Sequence, residues 1–160
     1  MMKNLFQILC GLFLVVSYSS CMHSEEDKVD VLIIGGGASG VTSGIQSARM
    51  GANTLILEES IWLGGMLTSA GVSAVDGNYR LPAGLWGEFK NRLSDYYGGL
   101  DSLKTGWVSN VLFEPSVGNK ILHEMVAAEN NLKVWKQACL EEVKRTGDEW
   151  VAKVKVEGQG

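Results

Sequence analysis

Residues 31–40 read VLIIGGGASG, and this stretch decides the fold. The apolar, β-branched run over residues 29–34 predicts a strand buried on both faces of a parallel sheet. Residues 38–50 predict a helix, and Gly51 follows it as a left-handed C-terminal cap. Residues 53–57 form a second apolar run that predicts another buried strand. The region therefore predicts one strand–helix–strand unit.

The glycines between the first strand and the helix match the pattern G-x-G-x-x-G, and each has a separate physical task. Gly35 makes the tight turn out of the strand, Gly37 lets the backbone approach a pyrophosphate, and Gly40 lets the helix pack against the strand. The free N–H groups at Ala38, Ser39 and Gly40, with the positive end of the helix dipole, stabilise phosphate charge. This pattern predicts dinucleotide binding.

Glu58 and Gly36 complete the prediction of a dinucleotide site. Glu58 ends the second strand, where a carboxylate can accept hydrogen bonds from ribose hydroxyls and would repel the 2′-phosphate of NADP. Gly36, the middle glycine, has none of the three tasks, so we expect Gly36→Ala to matter less than Gly37→Val. The unit is predicted to hold the ADP half of a dinucleotide.

Composition and charge narrow the possible partners. The 160 residues are 46% hydrophobic and 20% charged, which is enough for one ordinary globular core. The formal net charge is -4 and the basic residues form no stripe, which argues against a nucleic-acid partner. No metal-ligand or Ser-His-Asp constellation is visible. Cys139 is the one cysteine beyond the leader, and we expect it to be a buried small side chain.

The N-terminus is predicted to be a targeting segment. Residues 1–21 combine a lysine near the start, an apolar run and a small-residue zone that ends at Cys21. This arrangement resembles a bacterial lipoprotein signal, in which Cys21 is lipidated and becomes the first mature residue. Residues 22–28 then form a polar tether, and the folded domain spans 29–160. The protein is expected in the bacterial cell envelope, membrane-bound through this lipid; the alternative is a plain secretory signal.

The rest of the chain alternates between loop, helix and strand. In order it predicts a loop over 60–80, helices over 82–97 and 113–130, a strand over 133–138, and a hairpin of strands 140–145 and 150–156. The first of these helices should bury Leu85, Phe89, Leu93 and Tyr96, and the second should bury Val117, Ile121 and Met125. His123 is expected to be structural rather than catalytic, and Asp76 and Arg80 to be solvated loop charges.

Further motifs carry a family resemblance. Residues 57–59 and 62–71, reading LEE and WLGGMLTSAG, resemble the N-terminal region of the FAD-dependent oxidoreductase family of bacterial flavoproteins. Residues 81–89 and 113–117 resemble that family's helical insertion. The resemblance covers residues 28–156. It implies an α/β fold of the glutathione-reductase type, in which a Rossmann-like βαβ unit is followed by a helical insertion and the start of a β-meander.

The resemblance also implies positions for a non-covalently bound FAD. Gly35, Gly37 and Gly40 would lie at the pyrophosphate, and Glu58 at the adenosine ribose. The main chain of Leu140 would offer hydrogen bonds to adenine. Three further residues would run close to the pyrophosphate or the flavin, namely Gly64, Gly65 and Met66. Glu59 is either another ligand contact or a solvated strand end.

The family continues beyond the meander into a last parallel strand and a substrate domain. The sequence ends at Gly160, so the resemblance predicts the cofactor-binding portion of a longer FAD-dependent oxidoreductase, or a truncated gene. Expressed alone, the chain is expected to bind FAD weakly or not at all, to show no turnover and to aggregate readily. Two alternatives stay open: part of an NAD-dependent dehydrogenase, which shares the βαβ unit, and a non-catalytic surface protein with a degenerate Rossmann domain.

Overall fold

A computed structural model describes residues 27–77, 79–104 and 109–157. Cys21, the predicted signal segment and most of the tether lie outside these ranges. The strands are β1 (Val31–Ile34), β2 (Thr54–Glu58), β3 (Leu132–Lys136), β4 (Ala138–Thr146) and β5 (Glu149–Val156). The helices are α1 (Ala38–Arg49), α2 (Gly84–Tyr97) and α3 (Pro115–Ala127), with short 3₁₀ turns at Gly65–Leu67 and Leu100–Leu103. None of the helices in the described ranges is long and apolar enough to cross a bilayer.

The three parallel strands form one sheet in the order β1-β2-β3, with β2 in the centre. All four residues from Thr54 to Leu57 on β2 are buried, as the apolar run predicts. The same prediction is wrong for β1, where Ile34 is 53% exposed. Within the described ranges β1 pairs only with β2, so its other edge is open. Burial on both faces is therefore a property of the central strand.

Helix α1 covers the sheet with the predicted face. Val41, Ile45 and Ala48 are buried, and Gly44 lies so close to β2 that a Cβ there would meet the Ile56 side chain at 2.6 Å. Gly51 has φ +94° and its N–H donates to the Ala48 carbonyl, which is the expected left-handed ending. The strand–helix–strand unit is thus confirmed as a packed α/β element.

Of the two later helices, α3 packs against α1, and α2 packs against α3. Val117, Ile121 and Met125 of α3 are buried as predicted, and so are Phe89 and Leu93 of α2. Tyr96 is a wrong prediction, because it is 53% exposed and its ring lies beneath the Lys120 ammonium. Tyr97 packs against the core instead, and its hydroxyl donates to Glu114 at 2.8 Å.

The chain leaves the parallel sheet at Gln137, whose φ of +54° places it in the left-handed region. This turn ends β3 at Lys136, so the predicted extension of that strand to Ala138 is wrong, and Ala138 begins the hairpin instead. Strands β4 and β5 pair antiparallel as predicted. Cys139 is exposed, contrary to expectation, because the alternation along β4 buries its neighbour Ala138.

Candidate functional site

A cavity of about 320 Å³ lies at the carboxyl ends of β1 and β2, beside the start of β4. Its lining residues are Ile34, Gly35, Leu57, Glu58, Glu59, Ala138 and Leu140. Four of them are positions that the sequence singled out, although they come from three separate parts of the chain. Ligands of open parallel sheets bind outside the carboxyl ends of the strands, so the cavity has the expected location.

The glycine turn at this edge has the geometry that its sequence predicts. Gly35 has φ +95°, which glycine adopts at no steric cost, and its N–H donates to the Leu57 carbonyl at 2.8 Å. A Cβ on Gly40 would lie 1.9 Å from the Gly35 carbonyl oxygen, so helix and strand approach more closely than any side chain allows. At Gly37 a Cβ would meet nothing within 4 Å. The space beside Gly37 is therefore open to a ligand.

Gly36 has a larger role than the sequence suggested. A Cβ there would lie 2.7 Å from the Leu63 side chain and 3.0 Å from a carboxylate oxygen of Glu58. The Gly36 N–H also donates to Glu58 Oε2 at 2.7 Å. A methyl group at Gly36 must therefore displace neighbours of the turn, which affects stability and leaves the comparison with Gly37→Val for FAD binding a prediction.

Glu58 joins the glycine turn to the loop that follows β2. Its Oε2 accepts the Gly36 N–H, and its Oε1 accepts the Ser60 N–H at 2.8 Å. An ionised carboxylate offers about four acceptor positions. Two are used inside the protein, which leaves each oxygen able to accept one more hydrogen bond from the cavity.

The second glycine pair lies directly against the first. Gly64 forms a bridge with Gly37, and its N–H donates to the Gly36 carbonyl at 2.8 Å. A Cβ on Gly65 would lie 3.1 Å from the Gly37 Cα. Met66 follows in the 3₁₀ turn and is 67% exposed. The structure thus brings the two glycine-rich motifs into direct contact.

The opposite wall of the cavity is built by β4 and the end of β2. Leu140 is half-buried there and precedes an irregularity in the β4–β5 pairing, while Glu59 is exposed at the rim.

Loss of hydration, together with the nearby carboxylates of Glu59 and Glu157, raises the pKa of the Cys139 thiol. The raised pKa keeps this thiol protonated at neutral pH, which makes it a poor nucleophile.

Other residues named from the sequence lie elsewhere. Asp76 and Arg80 are exposed, and Arg80 Nε donates to the Tyr79 hydroxyl at 3.0 Å, which fits the expectation of solvated loop charges. A second groove, of about 330 Å³, lies between α2 and α3 and contains none of the predicted site residues. The residues that line it are Arg92, Asp95, Tyr96, Lys120, Ile121 and Glu124.

Two residues that contact the site were missed by the sequence analysis. Asn119 Oδ1 accepts the Leu63 N–H at 2.8 Å, and the Thr68 hydroxyl donates to the Leu63 carbonyl. Asn119 lies 56 positions beyond Leu63, on a different element. A contact at that separation leaves no periodic signal in a single sequence, so only the folded chain shows it.

His123 is half-buried on α3, and its titration should be visible in stability. Burial and, to a lesser degree, the charge of Lys136 lower the pKa of His123. Because His123 binds a proton more readily in the unfolded chain, protonation favours unfolding. The free energy of unfolding should therefore fall as pH drops from about 6.5 towards the lower pKa that His123 has in the folded protein. His123→Gln should weaken this dependence. Urea unfolding of both proteins at pH about 7.5 and about 5.5 measures it, and an equal loss in both would contradict the assignment.

Comparison with known proteins identifies the family. The profile of the family described as FAD dependent oxidoreductase matches residues 30–160, which is most of the chain. The chain belongs to the FAD dependent oxidoreductase family. FAD is therefore the cofactor that the cavity has to fit. No curated protein sequence matches this member of the family significantly.

Solved structures similar to this chain share its fold. AlpK is similar with a TM-score of 0.57 and 14% identity, over 84% of this chain and 29% of its own. CabE, an aromatic hydroxylase from angucycline biosynthesis, is similar with a TM-score of 0.54 and 16% identity, over 81% of this chain and 28% of its own. The p-nitrophenol 4-monooxygenase PnpA from Pseudomonas putida DLL-E4 is similar with a TM-score of 0.50 and 14% identity, over 79% of this chain and 36% of its own. The chain thus spans about a third of these proteins, and the predicted α/β class is confirmed.

Proposed function

We propose that the cavity beside the glycine turn holds the ADP half of FAD, and that the chain is the cofactor-binding part of an oxidoreductase. One observation carries the proposal: Gly35, Glu58 and Leu140, far apart in the sequence, line a single cavity at the carboxyl edge of the parallel sheet. The cavity is close to the lower end of the range for small-molecule sites, roughly 300–1,000 Å³. That size suits the adenosine end better than a whole dinucleotide.

The pyrophosphate fits beside Gly37. The missing Cβ leaves open space there, and Gly37 is the N-cap of α1. Within the described ranges no side chain caps this helix end. The first N–H groups of a helix have no partner inside the helix, and the helix dipole favours a negative charge beside them. The backbone from Gly37 to Gly40 would therefore bind the phosphates, with Gly65 closing the site from the other side.

The ribose and the adenine fit the rest of the cavity. The free acceptor positions of Glu58 would receive the ribose hydroxyls, and Leu140 would face the adenine through its main chain. Glu59 at the rim adds a second negative charge, which disfavours a 2′-phosphate and therefore NADP. Bound FAD supplies hydride and electron transfer, whereas the residues described here bind it and orient it.

Equilibrium dialysis of the full chain against separate ligands tests the proposal. FAD should bind only weakly, because the chain spans about a third of the similar structures. ADP should compete with it, and riboflavin, which lacks the ADP half, should not bind measurably. NAD should bind more weakly than FAD, because the second glycine pair extends the site towards the flavin. Tighter binding of NAD than of FAD would favour the dehydrogenase alternative. Binding of neither would favour a degenerate, non-catalytic domain.

We also propose, from the sequence, that Cys21 carries a lipid that attaches the protein to the bacterial cell envelope. The support is the small-residue run before Cys21 and the acidic tether after it. Cys21→Ala should release the protein from the membrane fraction or block its maturation. Cys10→Ala, inside the apolar run, is the matched control and should change neither property. A Cys21→Ala protein with the parent's mass and the parent's membrane partition would refute the lipid anchor.

A further inference from the structure

We infer that Asn119 and Thr68 are positioning residues that hold the Gly64–Gly65 backbone against Gly37, and so shape the second wall of the phosphate site. The inference rests on the proposed function, because it concerns the same site. It assigns a task to the helical insertion, because α3 fixes a loop that lies against the glycine turn at Gly37.

The Asn119 contact fixes the residue just before the glycine pair. Leu63 is fully buried, and its N–H donates to Asn119 Oδ1 at 2.8 Å. A buried N–H left without an acceptor is costly, because the hydrogen bond that it made to water in the unfolded chain is not replaced. Loss of the Asn119 acceptor would therefore push the backbone at Leu63 towards a different position, in which this N–H finds another partner.

Thr68 fixes the same peptide from the other side. Its hydroxyl donates to the Leu63 carbonyl, and the residue is 1% exposed. Both polar groups of the Leu63 main chain are thus held by side chains. The next residue, Gly64, is the one that bridges to Gly37.

Steric contacts leave little freedom for this loop. A Cβ on Gly64 would lie 2.6 Å from the Leu122 side chain and 2.7 Å from that of Thr68. A Cβ on Gly118 would lie 2.6 Å from the Phe113 ring and 3.3 Å from the Thr68 methyl group. Leu122 of α3 and Thr68 are therefore packed so closely around Gly64 that no side chain fits there. Backbone N–H groups bind a phosphate well only when they are held in place beforehand.

The test uses the full chain and compares two ligands. Asn119→Leu removes the acceptor at similar volume, and Asn119→Asp keeps an acceptor oxygen as the conservative control. Equilibrium dialysis should show FAD binding weakened roughly tenfold in Asn119→Leu and close to the parent's in Asn119→Asp. Adenosine does not reach the phosphate site, so its affinity should be the same in all three proteins. A merely structural defect would weaken both ligands together.

The outcomes separate this inference from the proposed function. A parent chain that binds neither FAD nor ADP overturns both. A parent that binds FAD, with Asn119→Leu binding it equally well or losing FAD and adenosine in equal measure, overturns the positioning role alone. Should Asn119→Leu fail to fold, Thr68→Val against Thr68→Ser decides the matter: only the valine variant, which lacks the hydroxyl, should lose FAD affinity selectively.

Discussion

Gly37→Val should abolish the binding of FAD and of ADP while leaving the fold intact. Gly37 has φ -64° and ψ 179°, a conformation that valine adopts readily, and a Cβ there meets no protein atom within 4 Å. The protein therefore accepts the side chain, but the ligand does not, because the new methyl groups fill the space proposed for the pyrophosphate. We expect affinity to fall about a hundredfold or more, which corresponds to roughly 2.8 kcal/mol.

The controls for this variant come from two other glycines. Gly77 also has open space around a Cβ, but it lies in the exposed loop outside the cavity, so Gly77→Val should leave FAD affinity unchanged. Gly36→Ala meets Leu63 and Glu58, so it should lower the free energy of unfolding by about 1–3 kcal/mol. Equilibrium dialysis and urea unfolding measure the two effects. Parent-like FAD binding by a folded Gly37→Val protein would rule out the assigned phosphate loop.

Glu58→Gln should weaken FAD binding and destabilise the fold together. The carboxylate accepts one backbone N–H on each oxygen, whereas an amide has only one oxygen. In the variant the amide NH₂ must face either the Gly36 or the Ser60 N–H, which costs roughly 1–3 kcal/mol of stability. The ribose also loses a charged acceptor, so FAD affinity should fall roughly tenfold beyond the effect of any unfolded fraction.

Glu59→Gln is the matched control for that experiment, because it removes the same charge from the adjacent, exposed residue. It should leave the free energy of unfolding nearly unchanged and reduce FAD affinity less than Glu58→Gln does. Equilibrium dialysis without denaturant at one fixed pH measures the FAD affinity. Urea unfolding of the same samples measures the free energy of unfolding. Equal effects of the two variants would show that only the summed charge matters, against a specific ribose contact at Glu58.

Local rules predicted much of this fold. The turn at Gly35, the cap at Gly51 and the buried face of α1 follow from steric and hydrogen-bonding preferences within a few residues, and all three are present. The antiparallel hairpin is also present, since its alternating strands and its Gly-Asp turn are short-range signals.

The errors have a common physical origin in tertiary packing. Periodicity placed Tyr96 on the buried face of α2, but Lys120 from another helix covers its ring at the surface. The apolar run of β1 did not show that one edge of this strand is open within the described ranges. The steric contact between Gly36 and Leu63 was not predicted, because Leu63 comes from a separate loop. Contacts between separate elements decide each of these cases, and one sequence does not encode them as a local pattern.

Chemical-shift mapping of the isotopically labelled full chain during titration with ADP tests the central claim most directly. The account predicts that the largest amide shift changes occur at Gly35, Glu58, Glu59 and Leu140, which line the cavity. It predicts equally large changes over residues 36–40, the proposed phosphate loop. The groove between α2 and α3, which lies outside the proposed site, should show little change. Shift changes centred on that groove, or none around the glycine turn at saturating ADP, would contradict the account.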